Sequence, residues 1–254
     1  MSTALLRNTL SIEGNIGCGK STLLRLMGPV IQKLMDAERS GCQVHVEYEP
    51  VEAWKNVGDH GINILEAFYK DPEATVYEFQ TVAFMSRIKL YASLLQRMGL
   101  FDMALIERSV FGDHTMAENC HATGIMTDFQ YVCYDSAFQG ILDIFPHRPL
   151  GHIYLDTPPD FCIKRIQTRD RPEESCMTTT LGGSPDDVKE SYKYIYDIDA
   201  AHRANFATQS GKSRRFELPV LTLDGSLPFH TDAAVQMKFA KEIVAFYEKC
   251  LYKP

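Results

Sequence analysis

The chain has 254 residues, 45% of them hydrophobic, and a formal net charge of −7. This length suits a single domain spanning residues 1–254, and the acidic charge argues against DNA, RNA or an anionic membrane as a partner. No apolar run is long enough to cross a bilayer, so no membrane partner is expected.

The seven cysteines are scattered along the chain and form no C-x-x-C pair. This pattern favours reduced thiols in an intracellular protein over a disulfide scaffold or a zinc site. Because the first predicted strand begins near residue 8, little room is left for a targeting peptide. We expect a cytoplasmic protein, with a mitochondrial location left open if the sequence is a processed form.

The first motif is I-E-G-N-I-G-C-G-K-S-T, residues 12–22, which contains the spacing of a phosphate-binding loop. Such a loop must join a strand to a helix, and the apolar residues that follow it do fall on one helical face. The helix start would present backbone N–H groups to phosphate, Lys20 would add a positive charge and Ser21 a hydroxyl for Mg²⁺. Gly28-Pro29 should kink or break the helix after two turns. The predicted loop comprises Gly14, Asn15, Ile16, Gly17, Cys18, Gly19, Lys20, Ser21 and Thr22.

Strands are predicted in an alternating order with helices, which indicates an α/β fold with a parallel sheet. Substrates of such folds bind at the carboxyl ends of the strands, where Glu49, Glu107, Asp156 and Asp224 fall. The predicted strands are residues 8–13, 43–49, 103–107, 152–156 and 220–224. The clearest helices are predicted from Pro72 to about Met98, over residues 128–145, and near the C-terminus with Val235, Phe239, Ile243, Phe246 and Cys250 on one face.

The stretch E-Y-E-P, residues 47–50, places Glu49 at the end of the second predicted strand. A carboxylate there could accept the proton of a hydroxyl that attacks a γ-phosphate, or could be a solvated strand-end acid. Trp54 could fill the core or form one wall of a pocket for a flat ring. At the third strand end, Glu107 could hold Mg²⁺ and Arg108 could neutralise charge near the acceptor, with a solvated ion pair as the alternative.

On the long helix, Gln80, Ala83 and Arg87 share one face. A glutamine amide offers a donor and an acceptor to a nucleobase edge, although it is more often a surface residue. Later, Arg165, Arg169 and Arg171 gather before a polar stretch at 170–190 that suits a mobile lid. Three guanidinium groups repel one another unless an anion such as a triphosphate joins them, the alternative being a solvated basic face.

One family accounts for all of these motifs together. In family order and spacing, the sequence resembles the deoxyribonucleoside kinases, which include deoxycytidine, deoxyguanosine and insect multisubstrate kinases. The segments that carry the resemblance are I-E-G-N-I-G-C-G-K-S-T, E-P-V-E-A-W, F-Y-K-D-P-E, F-Q-T-V-A-F-M-S-R-I-K-L, E-R-S-V-F-G-D, I-Y-L-D-T-P-P-D-F-C-I-K-R-I, R-D-R-P-E-E-S and P-V-L-T-L-D-G.

The resemblance implies a P-loop kinase fold, with a five-stranded parallel sheet flanked by helices and a lid at about residues 165–190. It implies ATP as phosphoryl donor with Mg²⁺, a nucleoside as acceptor, and a homodimer formed through two long helices. It implies that Lys20 and Ser21 bind ATP-Mg²⁺, that Glu107 supports the metal, and that Arg165, Arg169 and Arg171 close over the phosphates. For the acceptor it implies that Glu49 is the general base, that Arg108 holds the 5′-hydroxyl end, that Tyr69 and Glu174 bind the 3′-hydroxyl, and that Gln80 reads the base. Asp224 would lie in a loop near the adenine of ATP.

The resemblance also bears on the preferred base. In the family, an Arg and Asp pair at the positions of Arg87 and Asp113 marks kinases for deoxycytidine and purine deoxynucleosides, whereas thymidine-accepting relatives carry small or apolar residues there. Asp113 can accept from the exocyclic amine of cytosine or adenine, and Arg87 can donate to a guanine carbonyl. The alternative is a salt bridge remote from the base. The segment 176–187 lacks the apolar continuation expected after the lid, which leaves the lid's length open.

Two other functions remain open at this point. A nucleoside monophosphate kinase shares the P-loop and the arginine lid, but needs additional cations for the acceptor phosphate. A non-catalytic nucleotide-binding subunit could keep the fold, yet it would be expected to lose the P-loop lysine or the base, and Lys20, Glu49 and Arg108 are all present. ATP consumption with nucleosides, compared with monophosphates, distinguishes the two enzymes.

Overall fold

Five parallel strands form one sheet in the order β2-β3-β1-β4-β5. The computed structural model describes residues 6–145, 148–169, 171–177, 192–207, 210–214 and 217–252. The α/β fold with a five-stranded parallel sheet is therefore confirmed. The strands are β1 (Leu6–Glu13), β2 (Val44–Glu47), β3 (Met103–Glu107), β4 (Pro149–Asp156) and β5 (Val220–Asp224).

Helices cover both faces of this sheet. Two short 3₁₀ helices, Met98–Leu100 and Pro172–Met177, follow the fourth and seventh α-helices. The α-helices in the described ranges are α1 (Lys20–Glu38), α2 (Val51–Trp54), α3 (Ile64–Lys70), α4 (Pro72–Arg97), α5 (Val110–Ala122), α6 (Asp128–Ile144), α7 (Pro159–Arg169), α8 (Lys193–Phe206) and α9 (Ala233–Leu251).

The buried side chains form two clusters, one on each face of the sheet. Along β3, Ala104 and Ile106 face the first cluster, and Met103 and Leu105 face the second, as the period of a strand requires. The first cluster is rich in aromatic rings from α3, α4 and α6, and the second is mostly aliphatic, with α1 and α9. The clusters hold the sheet between two helical layers, which leaves its carboxyl edge open.

Local sequence explains where the longer helices begin. The Asp71 carboxylate accepts the Ala74 N–H at 3.2 Å at the start of α4, where Pro72 is the first helical residue. Thr127 and Gln130 form a reciprocal capping box at the start of α6. Both helices thus begin where the sequence predicts.

The predicted break at Gly28-Pro29 does not occur, because α1 continues through both residues to Glu38. A Cβ on Gly28 would lie 2.9 Å from the Val46 side chain, so the helix packs closely on β2 at this point. We infer that this packing outweighs the roughly 3 kcal/mol that a proline costs inside a helix.

The second strand is shorter than predicted. β2 ends at Glu47, and Glu49 lies in the connection to α2, where its carbonyl accepts the Val51 N–H at 2.9 Å. Pro50, which has no N–H for a ladder, follows directly. The assignment of Glu49 to the strand is therefore wrong by two residues, although it still lies at the carboxyl edge.

Other predictions concern the membrane, the cysteines and the lid. None of the helices in the described ranges is both long and apolar enough to cross a membrane. The six cysteines whose side chains the structure describes form no disulfide. Of the predicted lid, residue 170 and residues 178–190 lie outside the described residues.

Candidate active site

A cavity of about 680 Å³ opens beside the loop that follows β1, near the carboxyl end of β3. Five predicted site residues do not border it, namely Gly14, Asn15, Cys18, Arg87 and Asp224. The predicted residues that do border it are Ile16, Gly17, Gly19, Lys20, Ser21, Thr22, Glu49, Trp54, Tyr69, Gln80, Ala83, Glu107, Arg108, Asp113, Arg165, Arg169, Arg171 and Glu174.

The glycines of the loop between β1 and α1 are required by the protein's own contacts. Gly14, Gly17 and Gly19 have φ values of 145°, 75° and 107°, which side chains rarely allow. A Cβ on Gly17 would lie 2.6 Å from the carbonyl oxygen of Cys162 on α7. The loop therefore packs tightly on α7 and holds its backbone at the edge of the cavity.

Lys20 and Arg165 contact this loop, and Arg169 and Arg171 border the same cavity. The Lys20 Nζ donates to the carbonyls of Gly14 at 3.2 Å and Asn15 at 2.9 Å. Arg165 donates to the carbonyl of Cys18 at 2.5 Å. Together with Arg169 and Arg171, which also border the cavity, these groups suit the phosphates of ATP by charge.

Hard oxygen donors lie next to these cations. The Ser21 hydroxyl donates to the Glu107 carboxylate at 2.8 Å, and the Glu49 backbone N–H donates to its other oxygen at 3.5 Å. Mg²⁺ prefers oxygen ligands and usually takes only one or two from the protein, completing its shell with waters and substrate phosphates. The residues present therefore fit this ion.

Glu49 lies between two arginines. Its Oε1 is 2.9 Å from Arg87 Nη2 and 3.3 Å from Arg108 Nε. Burial alone would raise the pKa of Glu49, but the charges of Arg108, Arg87 and Lys20 outweigh it and hold this pKa below its usual range. Glu49 is thus an ionised acceptor at the edge of the phosphate site.

Arg87 does not face the cavity, since its side chain has no exposed surface. Its Nε and Nη2 donate to the two oxygens of Asp113 at 3.0 and 3.1 Å, and its Nη1 to the Glu107 carbonyl at 2.6 Å. Asp113 borders the cavity and Arg87 lies behind it. One buried cation therefore holds both Glu49 and Asp113 in place.

Aromatic rings line part of the cavity. Trp54 contacts Phe79 edge-on at 5.7 Å, and Phe79 stacks on Phe68 at 4.7 Å. The indole N–H donates to the Ser86 hydroxyl at 3.1 Å. Trp54 is thus a core residue that also borders the cavity, and its role as a wall for a flat ring stays a prediction. We call the part of the cavity lined by Trp54, Phe68 and Phe79 the Trp54 slot.

Gln80, Tyr69 and Glu174 also border the cavity. The Gln80 amide nitrogen is 3.8 Å from the sulfur of Cys120. Both oxygens of Glu174 accept from Arg169, with Arg171 at 3.7 Å. Burial first, and then Glu174, raise the pKa of Tyr69 above its usual range, so its hydroxyl keeps its proton.

Several residues of the site carried no recognisable motif. Met116, Tyr194, Phe229 and His230 all border the cavity. Met116 could have been found, because it lies one helical turn after Asp113. Asp224 is exposed and caps its own turn by accepting the Ser226 N–H at 2.9 Å, while Phe229 and His230 of the same connection reach the cavity.

Comparison with known proteins identifies one family. The model of the deoxynucleoside kinase family matches residues 10–248. The chain is 29% identical to a probable deoxycytidine kinase of fowlpox virus (strain NVSL), over 93% of this chain and 87% of that protein. It is 27% identical to human deoxycytidine kinase, over 93% and 90% of the two chains. It is 26% identical to a mitochondrial deoxyguanosine kinase of Xenopus laevis, over 93% and 88%.

Proposed function

The chain belongs to the deoxynucleoside kinase family, with its P-loop kinase fold and ATP as phosphoryl donor, and on that premise we propose its acceptor and mechanism. We propose that it phosphorylates the 5′-hydroxyl of a deoxyribonucleoside and favours deoxycytidine or purine deoxynucleosides over thymidine. The observation that carries this proposal is the ionised Glu49 between Arg87 and Arg108, next to the cations of the phosphate loop.

In this proposal Glu49 accepts the proton of the 5′-hydroxyl as that oxygen bonds to the γ-phosphorus, while the bond from this phosphorus to the β–γ bridging oxygen breaks and ADP leaves. Arg108 holds the same end of the acceptor, and Lys20 with the arginines of α7 and the following turn stabilises negative charge on the transferring group. Mg²⁺, when bound through Ser21 and Glu107, would neutralise charge on the β- and γ-phosphates. Tyr69 and Glu174 bind the 3′-hydroxyl, and the Trp54 slot takes the base, read by Gln80.

The charges near the acceptor support a nucleoside over a nucleoside monophosphate. Glu49 and Glu174 border this part of the cavity, and a phosphate on the acceptor would be repelled by both. The arginines that contact Glu49 are already paired, since Arg87 binds Glu49 and Asp113, and Arg108 binds Glu49. Neutral sugar hydroxyls suit these carboxylates, because the 5′-hydroxyl can donate a hydrogen bond to Glu49 and the 3′-hydroxyl one to Glu174.

The base preference rests on Asp113, which faces the cavity. Its oxygens can accept from the exocyclic amine of cytosine or adenine, whereas thymine would place a carbonyl oxygen against them. The charge and hydrogen bonds of Arg87 favour the ionised form of Asp113, whereas burial raises the pKa of Asp113 above its usual range. Arg87 does not border the cavity, so direct donation to a guanine carbonyl would require its side chain to move.

We expect kcat/KM for the best of deoxycytidine, deoxyadenosine and deoxyguanosine to exceed that for thymidine by about 10–200-fold, because an unpaired polar group costs about 1–3 kcal/mol. The double variant Arg87→Met with Asp113→Ala should raise thymidine use relative to the others. Because Arg87 also contacts Glu49, its loss is expected to lower the turnover of every nucleoside. The quantity to compare is therefore the substrate ratio, which is kcat/KM for thymidine divided by kcat/KM for the best of the other three nucleosides. Steady-state kinetics with all four nucleosides under one set of conditions measures it.

The same chain offers a matched control. Arg97, further along α4, pairs with Glu47 at 3.0 Å and does not border the cavity. Arg97→Met with Glu47→Ala removes an ion pair of the same chemistry and should leave the substrate ratio unchanged. Thymidine as the best substrate of the wild-type protein, or a double variant with an unchanged ratio, would contradict the role of Asp113.

We further propose a homodimer formed through α4 and α6. Large apolar side chains are exposed on these helices, among them Phe129 at 79%, Ile144 at 81%, Val132 and Met85. Such a face matches the two-helix interface expected from the family. The proposed physiological role is nucleotide salvage in the cytoplasm by a single kinase domain spanning residues 1–254.

A further inference from the structure

The backbone of Arg108 is held in a conformation that is unusual for its residue type. Its φ of 62° lies in the left-handed region, which is uncommon for residues other than glycine. Two hydrogen bonds fix this turn, from the Arg108 N–H to the Ile12 carbonyl at 2.9 Å and from the Ser109 N–H to Glu13 at 2.8 Å. The turn directs the guanidinium group back toward the phosphate loop.

The guanidinium group then has three partners. Its Nη2 donates to the Gly14 carbonyl at 3.1 Å, and its Nε lies 3.3 Å from the Glu49 carboxylate. Its Nη1 lies 2.9 Å from Nε2 of His202, a fully buried residue of α8. Two of these partners belong to the predicted site, and the third, His202, was indicated by no motif.

The tautomer of His202 follows from its other contact. Its Nδ1 lies 3.0 Å from the Ile198 carbonyl, which can only accept, so Nδ1 carries the proton and Nε2 presents a lone pair to Arg108. Burial first, and then Arg108, lower the pKa of His202 to about 3. The ring is therefore neutral near pH 7 and remains an acceptor for Arg108.

We infer that His202 is a positioning residue for the phosphoryl transfer, which holds the Arg108 guanidinium against Gly14 and Glu49. This inference rests on the proposed function. The helix that carries His202 is itself fastened to the site, since Asn15 donates to the Ile195 carbonyl at 2.9 Å and Arg203 donates to Asp156 at 3.0 Å. These contacts fix the acceptor atom of His202 relative to the phosphate loop and the end of β4.

His202→Leu removes the acceptor and leaves one buried N–H of Arg108 unpaired. We expect kcat to fall about 10–100-fold, as for other small misplacements of a catalytic group, with KM for nucleoside and ATP changed by no more than about threefold. His202→Gln can place an amide oxygen near Nε2, so it should restore kcat to within about fivefold of wild type. If His202→Leu does not fold, His202→Met, of similar length, serves in its place.

A double-mutant cycle separates positioning from general destabilisation. If His202 acts through Arg108, His202→Leu should have almost no further effect on kcat in an Arg108→Ala background. Phe206→Leu is the matched control, since Phe206 is buried on the same helix, packs near His202 and does not border the cavity. It should lower the thermal midpoint without lowering kcat.

Three results would overturn the inference. The first is a wild-type kcat in His202→Leu or His202→Met, and the second is no recovery of kcat in His202→Gln. The third is that His202→Leu lowers kcat by a further tenfold or so in the Arg108→Ala background, which is as large as its expected effect of about 10–100-fold in the wild-type background. Failure of the proposed function looks different, because the wild-type protein would then show no turnover of deoxynucleosides.

Discussion

The Glu49→Gln variant should have a kcat about 10²–10⁴-fold lower than the wild-type protein, the usual loss on removing a general base. The amide has nearly the same shape as the carboxylate, but it cannot take the proton of the 5′-hydroxyl. Nucleoside affinity should largely survive, because Tyr69, Gln80 and Glu174 hold the rest of the substrate in the proposed complex. Single-turnover kinetics with equilibrium binding of the nucleoside measures both quantities.

Glu47→Gln is the matched control for this variant. Glu47 is the last residue of β2 and pairs with Arg97 and His45 away from the cavity. Its substitution should leave kcat unchanged and affect only stability. Since the pKa of Glu49 lies below its usual range, Glu49 is ionised throughout the neutral region and needs no activation. A Glu49→Gln variant with near wild-type kcat would remove Glu49 from the mechanism.

The Lys20→Ala variant should lose about 10²–10³-fold in ATP-dependent kcat, by analogy with the removal of other single groups that stabilise transition-state charge. In the proposed complex the neighbouring backbone N–H groups cannot replace the positive charge that Lys20 adds near the outer phosphates. The fold should persist, since the glycine conformations and the contacts with α7 set the loop. Loss of the hydrogen bonds from Nζ to the two carbonyls should lower the free energy of unfolding by about 1 kcal/mol.

Lys33→Ala provides the comparison, since Lys33 is exposed on the same helix. It should change neither kcat nor the thermal midpoint. Calorimetry of all three proteins shows whether any loss of turnover in Lys20→Ala comes with loss of the fold. Persistent turnover in a folded Lys20→Ala variant would contradict the assignment of the phosphate-binding loop.

The sequence predicts the sheet well because strand and helix signals are local. The alternation of apolar residues in β1 and the apolar run of β3 are readable from a few neighbours, and the strand ends at Glu107 and Asp224 agree with the structure. The carboxyl-edge rule then brings most of the predicted polar residues to one cavity. Local patterns and one topological rule are sufficient for this part of the molecule.

Other features depend on contacts that are distant in sequence. The continuation of α1 through Pro29 depends on packing against Val46 of β2. The family resemblance pairs Arg87 with Asp113, but the complete burial of Arg87 and its contact with Glu49 depend on residues from two other elements. His202 lies 94 residues from Arg108, so no spacing rule indicates their contact.

Identification of the products formed from ATP tests the central claim most directly. The protein is incubated with ATP-Mg²⁺ and either a deoxynucleoside or the corresponding 5′-monophosphate, and the nucleotides are separated by ion-exchange chromatography. We expect the deoxynucleoside to yield its 5′-monophosphate with an equal amount of ADP, and the monophosphate to remain unchanged. Conversion of the monophosphate to a diphosphate, with no reaction of the nucleoside, would contradict the assignment of Glu49 and its neighbours to a sugar hydroxyl.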